Sequence, residues 1–107
     1  NRNLYRTKFA QVTPVLAEVL DVKLPDASFY LWAAVPAGWQ GDDAAFAKTL
    51  YEKEHVTVLP GSYLAREFNG FNPGRGRVRM ALVAETAECL EAAERIARFV
   101  RQHPNKV

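Results

Sequence analysis

The stretch Asn72-Pro-Gly-Arg-Gly-Arg-Val-Arg-Met-Ala-Leu-Val83 sets arginines at positions 75, 77 and 79, every second residue, leading into an apolar run. In an extended strand successive side chains alternate between faces, so Arg75, Arg77 and Arg79 are expected on one side, with Val78 and Met80 on the other. A guanidinium held on a rigid strand suits bidentate capture of a carboxylate or phosphate, because its planar fork matches two oxygens of such an anion. The same pattern also describes the solvated face of a half-buried sheet. Both readings stay open on the residues alone, and Arg79 is the residue to explain.

Other chemistry-bearing residues form weaker patterns. Glu52 and His55 have the Glu-x-x-His spacing of di-iron helix bundles, but such a site needs a second copy and further glutamates on facing helices. His55 is instead expected at a helix end, where an imidazole meets free carbonyls or the dipole. Ser62 lacks the Gly-x-Ser-x-Gly elbow, and neither His55 nor His103 has a carboxylate at a spacing that marks a triad. Gly74-Arg-Gly-Arg77 hints at RNA. An RNA-recognition domain, however, stacks bases on aromatics of its central strands, whereas this strand reads Arg-Val-Arg-Met-Ala-Leu without a ring. Neither a Gly-x-Gly-x-x-Gly turn nor a phosphate loop is present.

The elements that must carry the arginines belong to a small globule. The 107 residues are one domain by length, and 49% apolar against 24% charged residues is the balance of a packed core. A net charge of +2 makes no electrostatic case for nucleic acid or an anionic membrane. Cys89 is the single cysteine, which excludes an internal disulfide and accords with a reducing compartment. With no run of about 18 apolar residues and no signal-peptide order, the chain is expected to be soluble and cytoplasmic. Its opening on Asn1, inside a helical pattern, reads as a cut start, so a partner domain is expected to be missing.

Apolar residues from Leu4 to Leu20 recur at three and four and predict an amphipathic helix over 3–22, kinked or broken near Thr13 by Pro14. Pro25 and Asp26 signal a turn before a strand over 28–35. That strand is apolar on both faces, with Phe29, Leu31 and Ala33 on one side and Tyr30, Trp32 and Ala34 on the other. Asp42 or Asp43 is placed to cap a helix over 44–54, with Phe46, Ala47, Leu50 and Tyr51 inward. A short strand over 56–59 ends at Pro60-Gly61, residues 67–76 form a long loop, and 77–84 form a third strand. Thr86 is expected to cap a last helix to Gln102, with Leu90, Ala93, Ile96, Ala97 and Val100 as its inner stripe. The fold class is α+β: a small, mostly antiparallel sheet with helices packed on one face. The bare face carries the arginines beside aromatics, a surface that expects a ligand or another domain.

Taken together, Phe29-Tyr-Leu-Trp32, Val56-Thr-Val-Leu-Pro-Gly-Ser62 and Gly74-Arg-Gly-Arg-Val-Arg-Met-Ala-Leu82 resemble the C-terminal part of class I/II pyridoxal-phosphate aminotransferases. The resemblance covers essentially the whole chain, in the family's order. Within the family, the Trp39 region and the runs Pro60–Phe68, Asn72–Ala84 and Glu88–Ile96 resemble succinyldiaminopimelate aminotransferases. The resemblance implies that residues 1–107 are the C-terminal small domain of a larger fold-type I enzyme, with residues 1–22 leading in from the missing large domain. It implies amino-group transfer between glutamate and an N-succinyl-2-amino-6-oxopimelate type keto acid, in lysine and diaminopimelate synthesis, by a cytoplasmic homodimer.

The resemblance also implies that Arg79 receives the α-carboxylate of the amino-acid or keto-acid substrate, and that Tyr30 lines the site. Arg77 falls where relatives often carry an aromatic or apolar residue, and Ser28 replaces a glycine common before the strand. Pyridoxal 5′-phosphate supplies the electron sink for shifting a proton at the amino-acid carbon. It is expected on the large domain, since none of Lys8, Lys23, Lys48, Lys53 or Lys106 lies in the motif of the Schiff-base lysine. The 107 residues alone are then not expected to bind the cofactor or to transaminate. The competing reading is a standalone module for an anionic metabolite or RNA that uses the arginine face without chemistry.

Overall fold

The computed structural model of the chain describes residues 2–23, 30–65 and 67–106, without the side chains of residues 2–5 and 23. The expectations for the turn at Pro25 and Asp26, and for Ser28 and Phe29, lie outside the described residues. The first helix, α1 (Arg2–Ala17), runs through Pro14 instead of breaking at Thr13. Pro14 removes one N–H donor, but it sits in the last turn, and the helix is anchored by Val12 and Leu16, both essentially fully buried. The helix ends at Ala17 rather than Val22. Leu16 accepts from the N–H groups of Val19 and Leu20, and the chain then forms a short strand, β1 (Asp21–Lys23).

Four antiparallel strands form one sheet in the order β1-β2-β4-β3, with β2 at Tyr30–Ala34, β3 at Leu59–Pro60 and β4 at Arg77–Ala81. The strand expected over 56–59 is displaced toward its end. Val56 and Val58 are buried while Thr57 and Leu59 are exposed, so side chains alternate as in a strand, but only Leu59 and Pro60 pair with β4. After Pro60 a four-residue helix, α3 (Gly61–Leu64), replaces the expected coil.

The longer helices follow the expected spans closely. In α2 (Asp43–Glu54) the Asp42 carboxylate is the cap, accepting from the Ala45 N–H at 3.0 Å. Phe46, Ala47 and Leu50 face inward, whereas Tyr51 is 55% exposed and turns its ring edge to His55. The buried stripe is narrower than the periodicity implied, and it includes Asp43 and Glu54. In α4 (Thr86–Gln102) Thr86 is the first helical residue and Glu85 occupies the cap position without a side-chain bond.

One core forms between the sheet and the helices. Leu31, Ala33, Val78 and Met80 supply the sheet side, and Val12, Leu16, Phe46, Leu50, Ala93, Ile96 and Phe99 the helical side. Trp39, in the loop before α2, is fully buried against Phe46 and Phe99 and donates Nε1–H to the His103 carbonyl at 2.9 Å. A loop residue thus welds α2 to the end of α4.

A buried charge completes that weld. Glu54, at the end of α2, accepts from Arg98 of α4 through both carboxylate oxygens, and Arg95 donates to the Glu54 carbonyl at 3.0 Å. Donation from Arg98 holds the Glu54 carboxyl below its ordinary value of 4.5, against the opposing effect of burial. A carboxyl depressed in the folded state stabilises above its unfolded pKa and loses that contribution as pH falls. Glu54→Gln should therefore be less stable than the parent at about pH 6 and converge with it toward about pH 3, checked by urea unfolding across that range.

Candidate substrate-carboxylate site

The strand register decides what faces what. Across β2 and β4, Tyr30 lies opposite Ala81, Trp32 opposite Arg79 and Ala34 opposite Arg77, while Leu31 opposite Met80 and Ala33 opposite Val78 fill the core face. Side chains directly opposite share a face, so Tyr30, Trp32, Ala34, Arg77, Arg79 and Ala81 form the surface away from the helices. Leu59 of β3 pairs with Arg79 and joins them. Arg79 is therefore flanked by Trp32 and Leu59, and its guanidinium carbon stands 4.5 Å above the centre of the Tyr30 ring. Tyr30 in turn meets Trp32 edge to face, with centroids 6.3 Å apart. The two residues expected to form the site are thus brought together.

Arg75 is not with them. Strand alternation begins at Arg77, after a turn closed by Gly76 at φ 83°, so the face holds two arginines rather than three. Arg75 lies over the loop before α2, where a Cβ added to Gly41 would be 3.7 Å from its Nε. The nearby Asp42 carboxyl is held below its ordinary range, first by the Lys106 hydrogen bond and the Ala45 N–H, with Arg75 adding a smaller attraction. Arg77 and Arg79 are half-buried, and among the described residues neither has a carboxylate partner.

The entry to β4 is held by a polar clasp that periodicity does not reveal. Asp43, 1% exposed, accepts the Ser62 N–H at 2.7 Å; Asn72 donates to the Ser62 carbonyl at 2.8 Å and accepts the Gly74 N–H at 2.9 Å. Within it Gly61 and Gly74 touch through their backbones. A Cβ on Gly61 would come within 2.2 Å of the Gly74 carbonyl oxygen, and one on Gly74 within 2.1 Å of the Gly61 oxygen. The Pro60-Gly61-Ser62 and Asn72-Pro-Gly74 runs were the available signals for it. Beyond the clasp, the turn Phe68–Phe71 is closed by reciprocal backbone bonds around Asn69 and Gly70, both at positive φ, and leaves two phenylalanines exposed.

Comparison with known proteins gives this geometry its context. The model of the family "Aminotransferase class I and II" matches residues 1–96. The chain belongs to the class I and II aminotransferase family. An LL-diaminopimelate aminotransferase of Nitratidesulfovibrio vulgaris is 39% identical over 100 residues, which are 92% of this chain and 24% of that protein. A crystal structure of an aminotransferase from Neisseria meningitidis superposes with a TM-score of 0.85 at 55% identity, over 92% of this chain and 24% of that one. A probable N-succinyldiaminopimelate aminotransferase from Thermus thermophilus superposes with a TM-score of 0.71 at 38% identity, over 89% and 23%. The chain therefore spans about a quarter of the length of the relatives it matches, and its fold is that of a fold-type I aminotransferase segment.

The family is pyridoxal-phosphate-dependent in general, but the described side chains do not fit that cofactor's needs. Lys8 is buried with its ammonium donating to the Leu82 carbonyl, Lys106 pairs with Asp42, and Lys48 and Lys53 lie on the exposed side of α2. None of these lysines is placed to receive a cofactor aldehyde beside Arg79. Among the described residues no three histidine, cysteine or acidic side chains gather as metal ligands, and no helix is long and apolar enough to cross a membrane. Cys89 is buried, and burial pushes its thiol up, which suits packing rather than nucleophilic chemistry.

Two outcomes check the geometry. Gly61→Ala should destabilise the fold by about 1–3 kcal/mol in urea unfolding, because the new methyl meets backbone rather than a yielding side chain. A double-mutant cycle pairing Tyr30→Leu with Arg79→Met should return a coupling of about 0.5–1 kcal/mol, the value of a partly exposed cation–π contact, and Tyr30→Phe should preserve it.

Proposed function

We propose that residues 1–107 are the C-terminal small domain of an aminotransferase and that Arg79 binds the α-carboxylate shared by its amino-acid and keto-acid substrates. The observation that carries this reading is a guanidinium fixed on a central strand, steered by the Tyr30 ring and without an acidic partner among the described residues, in a chain of aminotransferase descent. A substrate held by a planar fork on a rigid strand presents its reacting carbon in one orientation, which is the positional part of catalysis. Tyr30 lines the site and limits where the fork can swing. The exposed apolar side chains of Leu59, Tyr63, Leu64, Phe68 and Phe71 accord with a surface that the remainder of the enzyme covers. That remainder would hold the pyridoxal 5′-phosphate and its lysine.

The reaction we assign is amino transfer between glutamate and a keto acid of the diaminopimelate series, in lysine and diaminopimelate synthesis. The N-succinyl form is our first choice, supported by the motif runs and by the 38% identical Thermus structure. The free LL form is the second reading, favoured by the 39% identical Nitratidesulfovibrio relative. We place the whole enzyme in the cytoplasm as a homodimer, as the resemblance implies. In the full-length enzyme, Arg79→Ala should lower kcat/KM for donor and acceptor alike by roughly 2 to 4 kcal/mol of transition-state binding. Steady-state kinetics with each substrate varied in turn check this, and unchanged values would remove Arg79 from the site.

A further inference from the structure

Once Arg79 is assigned, Arg77 is the cation on the same face that no described acid engages. We propose that Arg77 binds the second carboxylate of a dicarboxylic amino-acid substrate, a role that rests on the assignment of the first carboxylate to Arg79. The register places Asp21, Ala34 and Arg77 in one row across three strands. Ala34, directly opposite Arg77, contributes only a methyl group. On the other flank is Gly61, whose backbone comes so close that an added Cβ would stand 2.9 Å from the Arg77 carbonyl oxygen, and which brings no side chain at all. Arg79, by contrast, is wedged between Trp32 and Leu59 and leans over Tyr30, toward the Ala81 end of the strand and away from Arg77. The two guanidinium groups therefore serve separate places on one surface, on Cα atoms about 6.7 Å apart.

Among the described residues no acid occupies Arg77. Asp21 shares its face but lies two strands away, about 9–10 Å between Cα atoms, and makes no ion pair with it. Asp42 is taken by Lys106 and attracted by Arg75. A half-buried guanidinium with no acidic partner among the described residues is poorly compensated until an anion arrives, and once a second domain covers the face the demand grows. Two such forks on one strand fit a chain with carboxylates a few methylene groups apart, whereas a ligand with a single carboxylate leaves Arg77 unsatisfied.

The test uses the full-length enzyme and a matched pair of amino acids, L-2-aminopimelate and L-2-aminoheptanoate, which share a carbon skeleton and differ in the distal carboxylate. They are compared as substrates, or as competitive inhibitors where turnover is slow. The parent should prefer the aminopimelate, and Arg77→Gln should cut that preference at least about tenfold, chiefly through KM or Ki rather than kcat. Arg77→Lys, which keeps the charge without the fork, should retain part of it, and it decides the matter if Arg77→Gln does not fold. A parent without preference, or a preference that survives both substitutions, overturns the role of Arg77. Arg79→Gln should instead weaken both ligands together; if it leaves both unchanged, the assignment of Arg79 itself fails, whatever Arg77 does.

Discussion

Two glycine backbones in contact set where the arginine strand begins. Gly61 and Gly74 approach so closely that neither position has room for a methyl group, and the bonds of Asp43, Ser62 and Asn72 lock the pair from both sides. The consequence spreads outward along the chain. Because Gly74 is pinned, the turn to Gly76 has one path, the Val35 N–H can reach the Gly76 carbonyl at 2.8 Å, and β4 enters the sheet beside β2 in a single register. Register is what gives each side chain its face, since a slip of one residue would send Arg79 into the core and Val78 into solvent. The buried Asp43 carboxylate is the electrostatic half of this device. It is taken out of water, and the Ser62 N–H at the start of α3 answers it.

The treatment of charge differs sharply between the two faces of the sheet. On the helical side each buried charge among the described residues has a partner: Glu54 has Arg98, Lys8 has the Leu82 carbonyl, and Asp43 has the Ser62 N–H. On the open side Arg77 and Arg79 have no acid among the described residues. Burying a charge is tolerable when it is hydrogen-bonded and costly when it is not, so the helical face is arranged for stability. The open face holds cations ready on a rigid support, and the Tyr30 ring orients one of them without neutralising it. In the proposed site the counter-charge comes with the ligand.

Much of the architecture was legible because it rests on local periodicity. The stripes of α2 and α4 and the alternation of β2 and β4 follow from spacing, and family resemblance is what singles out Tyr30 and Arg79 among the residues of the open face. What was misread involved competition between local and distant terms. Pro14 predicts a kink or a break near Thr13; the helix does not end there, because Pro14 falls in the final turn and burial of Val12 and Leu16 holds the helix together. Periodicity makes Val22 helical, yet pairing of β1 with Ala33 and its neighbours draws it into the sheet. Alternation in twos puts Arg75 with the other arginines, but the positive φ of Gly76 interrupts it. Trp39, Asp43 and Asn72 had no periodic signal at all, because their roles are contacts made across long stretches of chain.

The sequence by itself determined that a strand would carry guanidinium groups on one side and aliphatic groups on the other, since alternation is a property of the extended backbone. It also determined the helical stripes that cover the aliphatic side, and the family to which the chain belongs. Only the tertiary structure decided which arginines share the face, that Tyr30 stands beneath one of them, and that the residues flanking the other are small. Those outcomes depend on register between strands distant in sequence and on the contact of two glycine backbones. No residue-by-residue preference encodes either, because each is settled by the packing of the whole.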